Sequence, residues 1–189
     1  MWNQAQEHEK NWWGNCSNTL GEELKQIIYA QKMGLKFHEA NGVPFIIDLG
    51  GKSVIDVGGG PVSLLLKAIN GECKVVDPCD YPYWVAARYT EAGIEYLKLK
   101  AEDLRRTGFD IALIYNVLQH TEDPQKVIEN IKGAAKQIRI FEWIDSEINV
   151  MHPHMLTQAQ LEEWLGGKGT VEEFTGINGL SGKGFYGTF

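Results

Sequence analysis

Residues 54–63, VIDVGGGPVS, place three consecutive glycines between a β-branched apolar run and a proline. A glycine inside an element costs roughly 0.5–1 kcal/mol relative to alanine, so three together indicate a backbone that turns tightly or approaches another group closely. A glycine-rich turn between a strand and a helix exposes backbone N–H groups to a nucleotide-like ligand. The pattern therefore predicts a ligand-binding turn at Gly58, Gly59 and Gly60.

Two acidic residues accompany this turn. Asp56 lies two positions before the first glycine, and Asp77 lies 21 positions after Asp56, in KVVDP at the end of the next apolar run. A carboxylate at the end of the neighbouring strand can accept hydrogen bonds from both hydroxyls of an adenosine ribose. The dinucleotide fingerprint G-x-G-x-x-G is incomplete, because GGGPVS lacks the third glycine. An NAD-dependent oxidoreductase is therefore an alternative that the turn does not favour.

Apolar runs that alternate with helical segments predict how these residues are brought together. Five strands are predicted at SVIDV, CKVVD, IEYLKL, DIALIYN and QIRIFEW, and helices at PVSLLLKAING, YPYWVAARYTEAG and PQKVIENIKGAA, the last capped by Asp123. Such alternation implies a parallel sheet covered on both faces, with ligands beyond the carboxyl ends of the strands. TVEEFTG and GFYGTF predict an antiparallel pair at the sheet edge, joined by INGLSGK. We predict an α/β fold with seven strands.

Two flanking segments carry capping-box patterns. TLGEELKQIIYAQKMGL pairs Thr19 with Glu22, and TQAQLEEWLGG pairs Thr157 with Gln160. We predict a helix in each segment. The first is expected to lie over the ligand edge of the sheet or against its face.

Composition limits the class of protein. The chain has 189 residues, 43% of them hydrophobic, which suffices for one sizeable core. Its formal charge of -7 opposes attraction to nucleic acid, and no apolar run is long enough to span a membrane. Three cysteines without metal-like spacing indicate reduced thiols. We expect a soluble cytoplasmic protein that binds neither nucleic acid nor membrane, and the oligomeric state stays open.

At two motifs the sequence resembles the class I S-adenosylmethionine-dependent methyltransferases, in particular small type-11-like members. The first motif of that family is a strand followed by acidic-x-G-x-G, and its fourth strand is followed by a V-L-x-H-x-x-D-P turn. The matching residues are Val54, Ile55, Asp56, Gly58 and Gly60, then Val117, Leu118, His120, Asp123 and Pro124. The resemblance covers about residues 53–145. It implies a Rossmann-like, mostly parallel seven-stranded sheet with helices on both faces and an antiparallel C-terminal strand.

The resemblance also implies a set of cofactor-binding residues for S-adenosyl-L-methionine. They are Asp56, Gly58, Gly59, Gly60, Asp77, Pro78, Ala101, Glu102, Asn116 and Val117. In this family Asp56 would order the loop near the amino-acid part of the cofactor, the glycines would let the backbone approach it, and Asp77 would hold the ribose.

Three residues depart from the family pattern. Val62 replaces a frequent glycine and is expected to narrow the adenosine channel, and Asn116 replaces a frequent acidic residue. Lys100 replaces an aspartate near the adenine, which leaves Glu102 or Asp103 as the partner of the adenine amine.

The segment NVMHPHMLT provides the catalytic candidates His152 and His154. The chain leaves the fifth strand of such folds facing the transferred methyl group, and imidazole titrates near neutral pH. Alternatively, Pro153 shapes a turn while one histidine caps the next helix or contacts backbone. No metal site is expected, because H-x-H lacks a third ligand. Other candidates near the acceptor are Asn116, His120, Glu142, Asp145, Trp12, Trp13 and Tyr29, although aromatic residues more often fill a core.

We therefore expect a methyltransferase that acts by in-line transfer on an oxygen, nitrogen or carbon of a small-molecule or sugar-type acceptor. The alternative is a non-catalytic module that keeps the cofactor-binding fold as a scaffold. The expected organisation is a single methyltransferase domain over residues 1–189, with an N-terminal helical cap at 1–45 and a Rossmann-like core at 46–189.

Overall fold

The computed structural model describes residues 2–14, 16–40, 43–176 and 180–189. The helices are α1 (Trp2–Trp13), α2 (Cys16–Lys32), α3 (Tyr83–Glu91), α4 (Pro124–Ala134) and α5 (Gln158–Leu165). The strands are β1 (Phe37–Ala40), β2 (Val43–Asp48), β3 (Ser53–Val57), β4 (Ala68–Ile69), β5 (Glu72–Val76), β6 (Glu95–Leu97), β7 (Phe109–Tyr115), β8 (Ala135–Ile144), β9 (Thr170–Thr175) and β10 (Ser181–Thr188). Short 3₁₀ helices cover Leu64–Lys67, Ala101–Asp103 and Leu118–His120.

Seven strands form the main sheet in the order β6-β5-β3-β7-β8-β10-β9. The pairs among β6, β5, β3, β7 and β8 are parallel, whereas β10 is antiparallel to both β8 and β9. This arrangement confirms the predicted α/β class, the seven strands and the reversed C-terminal strand. The order changes direction at β3, since β5 and β6 follow on one side and β7 on the other. In open α/β sheets ligands bind at such a point, beyond the carboxyl ends of the strands.

Each face of the sheet has its own apolar layer. Side chains alternate along β3, so that Ile55 and Val57 face one layer and Val54 the other. The first layer includes Val127 and Ile128 of α4, which are fully buried. The second contains Tyr29 of α2, Met33 directly after α2, and residues of α3. Helices therefore cover both faces, as predicted.

The segment PVSLLLKAING is not the predicted helix. After the glycine turn it makes only the 3₁₀ turn Leu64–Lys67, whose first residues are capped by Ser63 Oγ, and then enters β4. Leu64 and Leu65 are buried and Leu66 packs against the same layer. Successive positions of an α-helix are about 100° apart, so three adjacent leucines could not all face the sheet. The short turn packs all three against the same apolar layer. β4 then pairs with β2 in a second sheet of order β1-β2-β4, which the sequence pattern did not predict.

Two of the three predicted caps are confirmed. Asp123 accepts a hydrogen bond from Lys126 N at the start of α4, and Thr157 forms a reciprocal capping box with Gln160 at α5. The Thr19 cap is wrong, because α2 already begins at Cys16 and Thr19 lies within its first turn. The Thr19 hydroxyl instead donates to the carbonyl of Trp13, at a distance of 3.3 Å, and so joins α1 to α2. In the part of the chain that is described, no helix is long and apolar enough to cross a bilayer.

Candidate active site

A cavity of about 410 Å³ lies at the carboxyl ends of β3, β5 and β7, between the sheet edge and helices α1 and α2. Its walls include nine of the residues predicted to act in the site: Gly58, Gly60, Asp77, Pro78, Ala101, Glu102, Asn116, Val117 and His152. Three of the predicted residues, Asp56, Gly59 and His154, do not line it. The topology therefore collects most of the predicted set at one place.

The glycine turn after β3 is shaped by steric limits. Gly58 has a φ of +71°, and a Cβ there would lie 2.6 Å from both methyl groups of Val117. A Cβ on Gly59 would lie 2.9 Å from Oδ2 of Asp56. Gly60 also has a positive φ, of +55°, and faces the Trp13 ring across the cavity. The turn consequently presents backbone without side chains to the cavity. Gly58 and Gly59 pack tightly against Val117 and Asp56.

Asp56 lies behind the glycine turn, away from the cavity, and stabilises it through hydrogen bonds. Its carboxylate is fully buried and accepts hydrogen bonds from the hydroxyls of Ser63 and Tyr115. Burial raises the pKa of this carboxyl to about 7. Its Oδ1 atom has no hydrogen-bond partner among the described residues. Asp56 thus orders the loop without reaching the cavity wall.

Asp77 lies at the end of β5, beside the turn, and is 5% exposed. Its Oδ2 accepts a hydrogen bond of 3.1 Å from Gly60 N, and its Oδ1 accepts one of 2.9 Å from Cys79 N. Burial raises the pKa of the Asp77 carboxyl to about 6. A carboxylate has about four lone-pair sites, so each oxygen can still accept a bond from a ligand in the cavity.

The turn after β7 forms the opposite wall. Asn116 has a φ of +56°, and its N–H donates to the carbonyl of Phe141. The carboxyl of Glu142 is fully buried in β8 and accepts hydrogen bonds from the N–H groups of Val117 and Leu118, at 3.0 and 3.1 Å. Burial raises the pKa of Glu142 to about 8. Glu142 therefore fixes the backbone of this wall but does not line the cavity.

The adenine-side candidates are only partly available to a ligand. Oε1 of Glu102 accepts hydrogen bonds from the N–H groups of Glu122 and Asp123, at 2.9 and 3.2 Å, and so ties this wall to the start of α4. Lys100 does not line the cavity; it pairs with Glu122 at 2.6 Å, and its ammonium lies 4.0 Å from the centre of the Trp2 ring. Val62 is fully buried and does not line the cavity, so the expectation that it narrows a ligand channel is wrong.

The two predicted histidines have different surroundings. His152 lines the cavity, its ring lies edge-on to His120 with centroids 4.8 Å apart, and burial lowers its pKa. His154 is hydrogen-bonded through Nε2 to the carbonyl of Thr121, at 3.0 Å, which is the backbone contact that the sequence left open as the alternative. His120 lines the cavity as well, and its Nδ1 bonds the carbonyl of Met151 at 2.9 Å.

Helices α1 and α2 supply a wall that the sequence pattern only partly revealed. Trp12, Trp13 and Tyr29 line the cavity, as does Trp143 of β8. Sequence reasoning missed Glu9, which lies on the same wall and accepts a hydrogen bond of 2.9 Å from Nε1 of Trp13. Its position four residues before Trp13 places both side chains on one helix face, and this spacing was the available signal. No group of three His, Cys, Asp or Glu side chains within the described ranges could hold a metal ion.

Comparison with known proteins shows what the chain is similar to. The family model described as "Methyltransferase domain" matches residues 55–138. The ubiquinone biosynthesis O-methyltransferase of Paraburkholderia phymatum is 32% identical over 96 residues, which are 47% of this chain and 41% of that protein. The chain thus spans about two fifths of that curated relative.

Solved structures show the same fold. The N-methyltransferase NodS from Bradyrhizobium japonicum, in complex with S-adenosylhomocysteine, superposes with a TM-score of 0.66 at 12% identity, covering 98% of this chain and 97% of that one. The 1,6-didemethyltoxoflavin-N1-methyltransferase of Burkholderia thailandensis, with 1,6-didemethyltoxoflavin and S-adenosylhomocysteine bound, gives a TM-score of 0.62 at 14% identity, over 93% of this chain and 80% of that one.

The sheet order, the reversed last strand and the cavity at the switch point define a Rossmann-like methyltransferase fold. Residues 55–138 are similar to the methyltransferase domain family, and the fold is that of solved methyltransferase structures.

Proposed function

We propose that this chain binds S-adenosyl-L-methionine in the cavity and transfers its methyl group in line to an oxygen, nitrogen or carbon of a small-molecule or sugar-type acceptor. The observation that carries the proposal is a single cavity lined by Gly58, Gly60, Asp77 and Asn116. Trp143 and His152 line the same cavity. The bound cofactor would supply an activated methyl group on a good leaving group.

The donor set of the cavity fits this cofactor. Asp77 offers two buried carboxylate oxygens at the end of β5, where ribose hydroxyls are held in nucleotide-binding sheets of this topology. Gly60 presents backbone without a side chain, and Ala101 and Glu102 line the side expected to face the adenine. We propose that Asp56 and Gly59 support the turn from beneath and that Pro78, Asn116 and Val117 contact the cofactor directly.

In the proposed mechanism the chain mainly aligns the acceptor and excludes water. Trp13, Tyr29 and Trp143 form apolar walls around the acceptor end. His152 is the proposed proton acceptor, because it reaches the cavity and its lowered pKa keeps the ring neutral near pH 7. His154 is proposed to hold the loop through its bond to Thr121 rather than to take part in the chemistry.

A small acceptor is supported by the size of the site. The cavity of about 410 Å³ is within the usual range for small-molecule sites, and part of it must hold the cofactor. Two similar proteins, a ubiquinone biosynthesis O-methyltransferase and a 1,6-didemethyltoxoflavin-N1-methyltransferase, are named for action on small molecules.

The free thiols of Cys73 and Cys79 agree with a reducing compartment, and we propose a cytoplasmic location.

Calorimetry tests the cofactor assignment. The wild-type chain should bind S-adenosylhomocysteine and should not bind NAD. Asp77→Asn should weaken S-adenosylhomocysteine by about 1–3 kcal/mol, because charge-assisted bonds to the ribose are lost. Asp80→Asn is the matched control, since Asp80 is exposed three residues further on and this variant should bind as the wild type does. Equal affinities of the Asp77→Asn variant and the wild type would remove the ribose assignment.

An activity assay tests the chemistry separately. Incubation with S-adenosylmethionine and pooled small metabolites should yield S-adenosylhomocysteine above the rate measured without an acceptor. Tight cofactor binding without such turnover, across metabolite and sugar pools, would instead assign the chain to the non-catalytic scaffold class.

A further inference from the structure

One largely buried carboxylate in the cavity wall has no role in the mechanism above. Glu9 of α1 has a side chain that is 15% exposed. Its Oε2 accepts the Trp13 indole N–H, and its Oε1 lies 3.4 Å from Nδ1 of His120. The indole is uncharged, and burial lowers the pKa of His120 to about 4, so neither partner is a cation near neutral pH.

The basic side chains near Glu9 are paired elsewhere. Lys10 lies 3.6 Å from Asp80. Lys25 and Glu22 both line the cavity and pair with each other at 2.5 Å. Within residues 2–14, 16–40, 43–176 and 180–189, no lysine or arginine nitrogen is within 4 Å of the Glu9 carboxylate. A buried carboxylate without a cation is costly, and its pKa is accordingly raised by burial. Among the described residues, the Glu9 carboxylate therefore has no lysine or arginine partner.

The surroundings of Glu9 favour a cation that has N–H donors. Trp13 contacts Glu9, and Trp12, Tyr29 and Trp143 line the same cavity; the faces of such rings attract cations. The carboxylate itself accepts hydrogen bonds, and charge-assisted bonds to an ammonium group are stronger than neutral ones. A metal ion is disfavoured, because no third ligand converges there among the described side chains.

We propose that Glu9 binds a ligand ammonium group in the cavity, between the indole of Trp13 and the ring of His120. The proposal rests on the proposed function for its ligand, and two sources offer the same chemistry. One is the amino group of the methionine part of the cofactor, since Trp13 faces Gly60. The other is an amine on the methyl acceptor, since Glu9 also faces the His120 and His152 side of the cavity.

Calorimetry with Glu9→Gln tests the cofactor source. The substitution keeps size and hydrogen bonding but removes the charge. If the cofactor amine is bound, the affinity for S-adenosylhomocysteine should fall about tenfold or more, whereas 5′-methylthioadenosine, which lacks the amino-acid part, should bind both proteins equally. Glu7→Gln is the matched control, because Glu7 is exposed on the same helix and does not line this cavity.

The acceptor source is tested with benzylamine as probe and benzyl alcohol as its uncharged counterpart, with and without S-adenosylhomocysteine. If an acceptor amine is bound, benzylamine should bind the wild type and the Glu7→Gln variant about tenfold more tightly than Glu9→Gln, and benzyl alcohol should show no difference. Equal binding of every ammonium ligand by Glu9→Gln and the wild type overturns the proposal, while the proposed function stands. A wild type that binds no adenosyl ligand overturns the proposed function, and the benzylamine titration without it still decides the role of Glu9.

Discussion

Gly58 meets two constraints at a single residue. Its φ of +71° is one that residues with a side chain rarely adopt, and the Val117 methyl groups lie where a Cβ atom would be placed. The contact joins the turn after β3 to the wall after β7. The shape of the cavity floor thus depends on the absence of one methyl group.

Gly58→Ala should lower the free energy of unfolding by about 2 kcal/mol or more, because backbone strain and overpacking add. Urea denaturation measures the change. Gly133→Ala is the control, since Gly133 lies in α4 with open space around it and should gain about 0.5–1 kcal/mol. Adding Val117→Ala to the Gly58→Ala variant should recover part of the loss; if both glycine variants behave alike, the steric account is wrong.

The roles of His152 and His154 can be distinguished by measuring the rate of methyl transfer, the cofactor affinity and the stability of variants at each position. His152→Ala should slow methyl transfer by about 10²- to 10⁴-fold, as expected for loss of a proton acceptor, and leave the affinity for S-adenosylhomocysteine nearly unchanged. In the wild type the rate should rise with pH through a pKa below 6.5, because burial lowers the pKa of His152. Single-turnover rates over about pH 5–8 measure both effects.

His154→Ala is the comparison for that experiment. It should cost about 1 kcal/mol of stability through the bond to Thr121, without altering the rate profile. A rate loss in the His154→Ala variant and none in the His152→Ala variant would reverse the assignment.

At the scale of elements, local signals predicted those helices whose ends they cap. Asp123 precedes Pro124 and begins α4 as its sequence indicates, and Thr157 with Gln160 begins α5. The same type of signal at Thr19 was overridden, because α2 extends three residues further towards the chain start and Thr19 bonds the end of α1. A cap pattern therefore indicates a helix more reliably than it indicates the first residue of that helix.

Asp123→Ala should destabilise the protein by about 1 kcal/mol, because the Lys126 N–H loses its side-chain acceptor. Chemical denaturation followed by circular dichroism measures this. Gln125→Ala, at an exposed position of the same first turn, should stay within about 0.5 kcal/mol of the wild type. Equal losses in the two variants would mean that the cap contributes nothing specific.

At the scale of the molecule, three buried carboxyls lie under or beside the cavity. Burial raises the pKa of Asp56 to about 7, of Asp77 to about 6 and of Glu142 to about 8, all above the ordinary values of 3.8 and 4.5. The folded chain therefore holds these protons more tightly than the unfolded chain. Their contribution to stability is present at low pH and is lost as pH rises towards the folded pKa values. Burial lowers the pKa of His120 from 6.5 to about 4, so this histidine makes stability rise with pH between about 4 and 6.5.

The free energy of unfolding should fall as pH rises from about 6.5 to 8, where the histidines no longer oppose the trend. One group contributes at most about 1.4 kcal/mol per pH unit. Glu142→Gln should flatten the fall, because glutamine does not titrate, and its amide oxygen can still accept from the Val117 N–H. Glu173→Gln, at an exposed position of β9, should follow the wild type. Urea denaturation across this range measures the slopes, and a wild-type stability that rises with pH would contradict the effect of burial.

The sequence alone determined the alternation of strands and helices, the glycine turn, Asp77 at the end of its strand and the class of fold. These follow from periodicity, capping residues and backbone freedom, which act over a few neighbouring positions. It did not determine that residues 64–69 leave the helical pattern, because that choice depends on burying three leucines at once against the sheet and on pairing with β2.

Only the tertiary structure decided which candidates share the cavity. His152 and His154 are two positions apart, yet one faces the cavity and the other bonds the Thr121 backbone. Glu9 is distant in sequence from every motif, and the fold brings it to His120. The physical reason is that the charge, burial and reach of a side chain depend on neighbours from other elements, and local sequence patterns do not contain those neighbours.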